Sequence, residues 1–365
     1  MNPLLQQNVH SSDQQGLSLV ELLVALAVSS LLLLGVTSLF LSSRQTDTLG
    51  MELAKLQETG RQAIDFMARD IRMAGYQGCM DPETLRVNII AQNPPTTDLF
   101  QTAFRGFEVT NTSWANGTEF DNQPIENMAL IGSDVIAIQK ASTADVSLTN
   151  QLNISNANVQ LTGNPMGFQQ DDIVIIADCE TADMFRITNS PGTSGTVTLA
   201  HAQGTNIHNR LSALYDTSAR VMAFESLVYF VADTGRVSEQ GLPIRALYRQ
   251  TDQMDFAGAN FVIEELIEGI DSMQVLYGER LNTGNMHFVT ADNVTNMQDV
   301  ESVKLGVLVS SSSQVLSTDD TLTYRLPGED IRPAGTTGAQ VTHAGDRRLR
   351  REFSSTVNIR NRRAD

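Results

Sequence analysis

The chain begins with two hydrophobic patterns joined end to end. Residues 17–41 are almost wholly apolar, and the run LVELLVALAVSSLLLLGVTSLFL carries a single charge, Glu21. About 25 residues of this kind are enough to cross a bilayer as a helix. No other stretch approaches it, so the pattern predicts one span. Beyond it the apolar positions become periodic: Leu49, Leu53, Leu56, Gly60, Ile64, Met67, Ile71 and Ala74 follow at spacings of 4, 3, 4, 4, 3, 4 and 3. That is the stripe of an amphipathic helix, and Glu52, Lys55, Glu58, Arg61, Asp65, Arg69, Asp70 and Arg72 fill other positions. No proline occurs between Pro3 and Pro82. One helix is therefore predicted from about residue 17 to residue 73, roughly 85 Å long, with its amphipathic part in residues 42–76. Gly35, Gly50 and Gly60 are weak points, open to bending or unwinding, and Gly75 suits its C-terminal cap.

After Gly75 the helical stripe disappears. Short β-branched runs alternate with clusters of Gly, Asn, Asp, Ser and Thr. Strands are predicted at 135–140, 173–177, 221–231, 244–249, 261–267, 273–277, 303–309, 322–326 and 355–360, with long polar loops at 90–95, 111–124, 142–165, 190–195 and 328–345. The expected fold class is α+β, a long N-terminal helix whose second half packs on a mainly antiparallel β domain in residues 77–365. No internal repeat is visible.

Composition narrows the function classes. The chain has 365 residues and a net charge of −17, which argues against a general nucleic-acid-binding surface. Only Lys55, Lys140 and Lys304 are lysines, and arginines gather near the end at 347, 348, 350, 351, 360, 362 and 363. This cluster reads either as a docking patch for an acidic partner or DNA, or as a solvated edge strand protected by charge; the second is preferred. The five histidines, at 10, 201, 208, 287 and 343, have no ligand spacing, although His201 and His208 are seven apart. Asp171-Asp172 and Asp319-Asp320 are acidic pairs in loops, where solvation is the ordinary role. No P-loop, GxGxxG, HExxH or GxSxG string is present. The chain is therefore read as no enzyme, with no cofactor and no metal. Two cysteines, Cys79 and Cys179, have no metal spacing around them. If the globular part is exported, a disulfide between them is the default reading.

The apolar run differs from an ordinary secretory signal. The segment before it, MNPLLQQNVHSSDQQ, has no Lys or Arg, and the run exceeds a usual signal core. Glu21 inside a spanning segment is costly and points to a function. The residues Gly16-Leu17-Ser18-Leu19-Val20-Glu21 resemble the processing motif of type IV pilins and of type II secretion pseudopilins. The resemblance implies a leader of residues 1–16, a cut between Gly16 and Leu17 by the prepilin peptidase, and methylation of the new amine. Glycine leaves the backbone free to lie extended in a protease cleft. Glu21 of one subunit would then neutralise the N-terminal ammonium of a neighbour in the filament, which offsets two desolvation costs and fixes axial register. Family leaders usually carry Lys or Arg and the first mature residue is usually Phe. This leader carries neither basic residue, and Leu17 stands first.

Within that class, three strings are similar to the PilW family of minor pilins. They are Asp70-Ile71-Arg72-Met73-Ala74-Gly75-Tyr76-Gln77-Gly78-Cys79, Met273-Gln274-Val275-Leu276-Tyr277-Gly278, and Phe353-Ser354-Ser355-Thr356-Val357-Asn358-Ile359-Arg360-Asn361. The resemblance implies a minor type IV pilin with a pilin-like domain. Its transmembrane segment, residues 17–41, would hold it in the inner membrane as a single-pass protein with a periplasmic C-terminal domain before it enters the pilus. Implied partners are the prepilin peptidase, other minor pilins, the major pilin and the inner-membrane assembly platform. Implied roles are priming of pilus assembly in support of twitching motility, adhesion or DNA uptake. A type II secretion pseudopilin of the J type and a membrane-tethered periplasmic enzyme or receptor are the alternatives.

Overall fold

The computed structural model describes residues 18–81, 85–96, 98–121, 123–152, 157–238, 240–255 and 258–362. The chain divides into two compact units, Met1–Met51 and Glu52–Asp365. One helix, α1 (Leu19–Arg72), runs from the first into the second without interruption at Gly35, Gly50 or Gly60. The helix does not unwind at any of these three glycines.

In the first unit every described side chain is exposed. Two hydroxyls of the apolar stretch are satisfied inside the helix: Ser30 donates to the Leu26 carbonyl at 2.8 Å and Ser38 to that of Gly35 at 3.0 Å. This back-bonding removes the need for water along the stretch.

The second unit begins with the remainder of α1, followed by β1 (Asn88–Ile89), a short α2 (Leu99–Thr102), β2 (Phe104–Phe107), α3 (Pro124–Met128), β3 (Val135–Ala141) and β4 (Val146–Ser147). Next come β5 (Asn158–Leu161), β6 (Ile173–Ala177), β7 (Ala182–Arg186), β8 (Val197–Ala200), β9 (Arg220–Val237), β10 (Pro243–Asp255) and β11 (Gly258–Glu268). The last group is β12 (Ile270–Arg280), β13 (Met286–Val289), β14 (Val300–Gln314), β15 (Tyr324–Leu326), β16 (Glu329–Pro333), β17 (Thr342–His343) and β18 (Arg348–Asn358).

Nine strands form one sheet along β1-β7-β6-β9-β10-β11, with β3 and β4 also on β9 and β2 on β3. The long β9 makes this possible by pairing successive stretches with different neighbours. A second sheet has the order β13-β12-β14-β18. Pairing is antiparallel except for β1 with β7 and β16 with β17.

Helix and sheets share one core. Leu56, Ala63, Ile64, Met67, Ala68 and Ile71 of α1 pack with Leu227, Tyr229 and Val231 of β9 and with Met273, Val275 and Tyr277 of β12. Val303, Leu305 and Val307 of β14 complete that layer. The alternate residues Val228, Phe230 and Ala232 face a separate cluster with Phe120 and Ile125, as the period of two in a strand requires. The apolar stripe of α1 becomes buried only at Leu56, whereas Leu49 and Leu53 stay 38% and 37% exposed.

Gly60 has a packing role instead of a hinge role. A Cβ there would lie 2.3 Å from Cδ2 of Phe353 on β18, so the missing side chain admits the ring. Gly60→Ala is expected to cost up to about 2 kcal/mol, because overpacking of about 1–3 kcal/mol is set against alanine's helix propensity advantage of about 1 kcal/mol. In a Phe353→Ala background the same change is expected to stabilise. Urea unfolding of the four proteins checks this reversal of sign.

Gly75 ends the helix as expected, with φ +73° and its N–H donating to the Gln139 carbonyl at 2.9 Å. Two loops contain strands that the sequence did not reveal. The 142–165 stretch holds β4 and β5, and 328–345 holds β16 and β17. These strands have two to five residues, too short for a period to declare itself. The strand expected at 322–326 starts only at Tyr324. The terminal one starts earlier, at Arg348, and ends at Asn358, with Arg360 in a 3-10 turn.

Candidate functional site

Gly16 and Leu17 lie outside the described residues. Ser18 and Glu21 form a capping box at the start of α1: the Ser18 amide donates to Glu21 Oε2 at 2.9 Å, and the Glu21 amide to Ser18 Oγ at 3.2 Å. Two of the amides that a helix leaves unpaired at its start are thereby satisfied. Glu21 is exposed and sits in the first turn, where the helix dipole favours a negative charge. The helix is long and apolar enough to cross a membrane by length and composition.

The string that begins at Asp70 fastens the end of α1 to the nine-stranded sheet. Asp70 accepts from the Tyr229 hydroxyl at 2.5 Å, and Lys140 Nζ lies 3.6 Å from its other oxygen. Lys140, almost fully buried on β3, also pairs with Glu225 of β9. Burial, reinforced by the Asp70 charge, pushes the Tyr229 hydroxyl far up its titration scale, so it stays a donor. The Ala141 amide donates to the Tyr76 carbonyl at 2.6 Å. Four residues after Gly75, Cys79 is joined to Cys179, between β6 and β7, in a disulfide with Cα atoms 4.9 Å apart.

The arginine cluster divides in a way that neither reading of it anticipated. β18 is an edge strand and Arg347 and Arg351 are exposed, but Arg348 and Arg350 point inward. Arg350 is fully buried, with Nε 3.0 Å from Asp271, Nη1 3.1 Å from Asp320 and Nη2 2.6 Å from Asp346. Arg348 Nε lies 2.9 Å from Asp346. Tyr324 donates to Asp320 at 2.9 Å. Asp319 is exposed while Asp320 is buried, so this acidic pair is split between solvent and an internal ion network.

His201 is a core residue. Its ring packs on Phe185 with centroids 5.0 Å apart, and among the described residues neither ring nitrogen has a hydrogen-bond partner. Burial lowers its pKa to about 4, so it is uncharged at neutral pH. His208 is exposed. Among the described residues no three His, Cys, Asp or Glu side chains are grouped to hold a metal ion.

One acidic pair escaped sequence reasoning. Glu108, just after β2, and Asp134, just before β3, are hydrogen-bonded to each other. Burial first, then the Glu108 charge, raises the Asp134 pKa well above the carboxylate range. Burial likewise raises Glu108, with Asp292 and Glu329 adding to it. A raised folded pKa means stability that is fully present below the unfolded carboxylate range and is lost as the pH rises through the folded values. Stability is therefore expected to fall across that rise. Asp134→Asn, which mimics the protonated donor, is expected to flatten the dependence and to exceed the parent in stability at about pH 8. Denaturant midpoints across the pH range check this.

Residues 228–361 match the family model for type IV pilus-assembly protein W. Residues 11–37 match the model for the prokaryotic N-terminal methylation motif. Together the two matches are those of a PilW-family type IV pilin. The PilW match begins within β9 and takes in the whole four-stranded sheet, which is the part of the domain that covers α1. The methylation motif covers the capping box and most of the apolar run. Both matches are those of a pilus-related minor pilin, a structural subunit that belongs with other pilins and the pilus machinery. The apolar helix and the prepilin motif fit a single-pass inner-membrane protein of the pilus. No curated protein and no solved structure matches the chain.

Proposed function

We propose that this PilW-family chain is a minor subunit that primes type IV pilus assembly. The observation that carries the proposal is the coincidence, within residues 11–37, of the methylation motif, the Gly16-to-Glu21 spacing and an apolar helix with an exposed surface. In this reading the prepilin peptidase removes residues 1–16 and methylates Leu17. Residues 17–41 hold the subunit in the inner membrane, with the disulfide-closed domain in the periplasm, where oxidation of Cys79 and Cys179 is supported. The assembly platform then draws the helix into the filament beside other minor pilins and the major pilin. Twitching, adhesion or DNA uptake would be the output.

The capping box gives Glu21 a local role before assembly and leaves it able to do more. A carboxylate has about four acceptor sites, so the Ser18 amide does not saturate it. After the cut, the new ammonium sits one residue before the helix cap, where a free positive charge opposes the helix dipole. The Glu21 carboxylate of a neighbouring subunit answers that charge.

The test is mass spectrometry of the N-terminal peptide of the membrane-bound protein, with and without the prepilin peptidase. The expected peptide begins at N-methylated Leu17 and disappears without the enzyme. Glu21→Ala is expected to be cleaved normally but to reduce piliation. An intact Met1 terminus would sink the processing step, and normal piliation of the Glu21 variant would sink the pairing.

A further inference from the structure

The loop between β2 and α3 contains Asn116-Gly117, the one Asn-Gly pair in the chain. Such a pair carries an intrinsic reaction. The backbone nitrogen after an asparagine can attack the side-chain carboxamide carbon, and a following glycine has no Cβ to obstruct the approach. A folded protein permits this where water has access, the carboxamide is free to turn and the attacking N–H is not already bonded.

The loop meets each condition. Asn116 and Gly117 are both exposed. A Cβ built on Gly117 would have no neighbour within 4 Å, so the reacting atoms stand in open space. Among the described residues neither the Asn116 carboxamide nor the Gly117 amide has a hydrogen-bond partner. The flanking amides are bonded: that of Asn116 donates to the Ser113 carbonyl at 3.2 Å and that of Thr118 to the Ala115 carbonyl at 2.9 Å. The backbone around the pair is therefore held while the pair itself is left free.

Other asparagines lack this combination. Asn111, exposed in the same loop, accepts from the Ser113 amide at 2.8 Å and is followed by the β-branched Thr112. Asn164 precedes Pro165, which has no N–H to lose. Asn206 is fully buried, and its carboxamide is bonded to the backbone of Arg186 at 2.8 and 2.9 Å.

We infer that Asn116 is a site of spontaneous deamidation in the folded protein. The Gly117 nitrogen bonds to Cγ of Asn116, and the carboxamide nitrogen leaves as ammonia, carrying the proton that the Gly117 nitrogen gives up. A five-membered succinimide results. Water then adds to one of its two carbonyl carbons and that C–N bond breaks. One opening leaves aspartate at 116. The other leaves isoaspartate, whose main chain runs through the former side chain and is one carbon longer. One water is consumed and one ammonia released, with no oxidation or reduction. Both products add a negative charge to a chain of net charge −17.

The longer product disturbs a specific turn. The inserted carbon falls between Ala115 and Thr118, whose hydroxyl also donates to the Ala115 carbonyl at 2.7 Å. Ala115 is fully buried, and the ring of adjacent Trp114 lies 5.9 Å from those of Phe107 and Phe120. Opening the turn moves Trp114 against that aromatic cluster.

The test is incubation of the full chain in detergent in mildly alkaline and in mildly acidic buffer, with samples taken over time for anion exchange and for mass spectrometry of the tryptic peptide 106–140. The expected result is a growing, more acidic species in which fragment ions place an amide-to-acid exchange at position 116, in two chromatographic forms, forming faster in alkali. The isoaspartate form is expected to show altered Trp114 emission. Asn116→Gln keeps the carboxamide but requires a larger ring, and is expected to react at least about tenfold more slowly. It also leaves Gly117, with its φ of +77°, untouched, so the turn is preserved in the control. No exchange at 116 in the folded chain while a urea-unfolded sample reacts would overturn the inference, because the fold would then be protective. Exchange at other asparagines ahead of 116, or an Asn116→Gln variant that reacts at the parent rate, would overturn it as well.

Discussion

Reduction of the Cys79–Cys179 disulfide is expected to lower the stability of the protein by about 4–5 kcal/mol. The bond closes a loop with a sequence separation of 100, so cutting it returns a large loop entropy to the unfolded chain. It also frees the turn that follows α1 from the β6–β7 hairpin. Both cysteines are exposed, so a reductant reaches them without prior unfolding. Urea unfolding of the full chain, followed by the fluorescence of its one tryptophan, Trp114, gives the midpoint with and without reductant. Equal midpoints would show that the bond carries no stability. A Cys79→Ala, Cys179→Ala double variant is expected to behave like the reduced protein.

Arg350→Leu is expected to cost about 3–5 kcal/mol, as removal of one partner from a buried ion network does. Asp271 and Asp320 would remain buried with their main cation gone, and the hydrogen bonds left to them, from Ser310 at 2.9 Å and from Tyr324 at 2.9 Å, offset only part of the desolvation cost of two carboxylates. The loss should be concentrated in the insert between β14 and β18. That insert rests on the sheet through Leu308, Tyr324, Leu326 and Ile331 and is tied to β18 by Asp320 and Asp346. Arg351→Leu, one residue away and exposed, is the control and should stay within about 0.5 kcal/mol. A thermal melt in which the two variants shift equally would remove the network from the account of stability. The pH sign here is opposite to that of the Glu108–Asp134 pair. Burial would raise Asp346, but Arg350 and Arg348 together hold it below the usual carboxylate value. Its contribution is present above the unfolded carboxylate range and is lost as the pH falls through the depressed value. Arg350→Leu should remove part of that acid sensitivity.

The helix was legible because its signals are local. Two periodic patterns, an absence of proline and Gly75 placed α1 within about two residues at each end. The core strands were legible for the same reason, since 173–177 coincides with β6 and 135–140 with nearly all of β3. The processing motif is a local string as well. What escaped notice depends on distant residues. Arg350 and Asp271 are 79 positions apart, and nothing near either one names the other. Strand periodicity did hold a hint, because Arg348 and Arg350 share one face of β18 while Arg347 and Arg351 share the opposite face. Glu108 and Asp134 carry no local signal, and only the pairing of β2 with β3 brings them together. Gly60 illustrates a different limit: a glycine in a helix looks like a hinge until the ring that needs its space is known.

The fit of Phe353 against Gly60 has a consequence for when this protein can finish folding. The helix is synthesised long before β18, with more than 270 residues between them. Asn361 adds a second tie by donating to the Ala74 carbonyl at 3.3 Å. Until β18 arrives, the apolar face of α1 around Gly60 has no ring to cover it. Contacts this distant in sequence slow folding, since the intervening chain must be ordered first. A nascent copy therefore carries an uncovered helix face until the chain through β18 has been made. A chain cut short before Phe353 would keep that face open, and such a copy would be a substrate for chaperones or proteases.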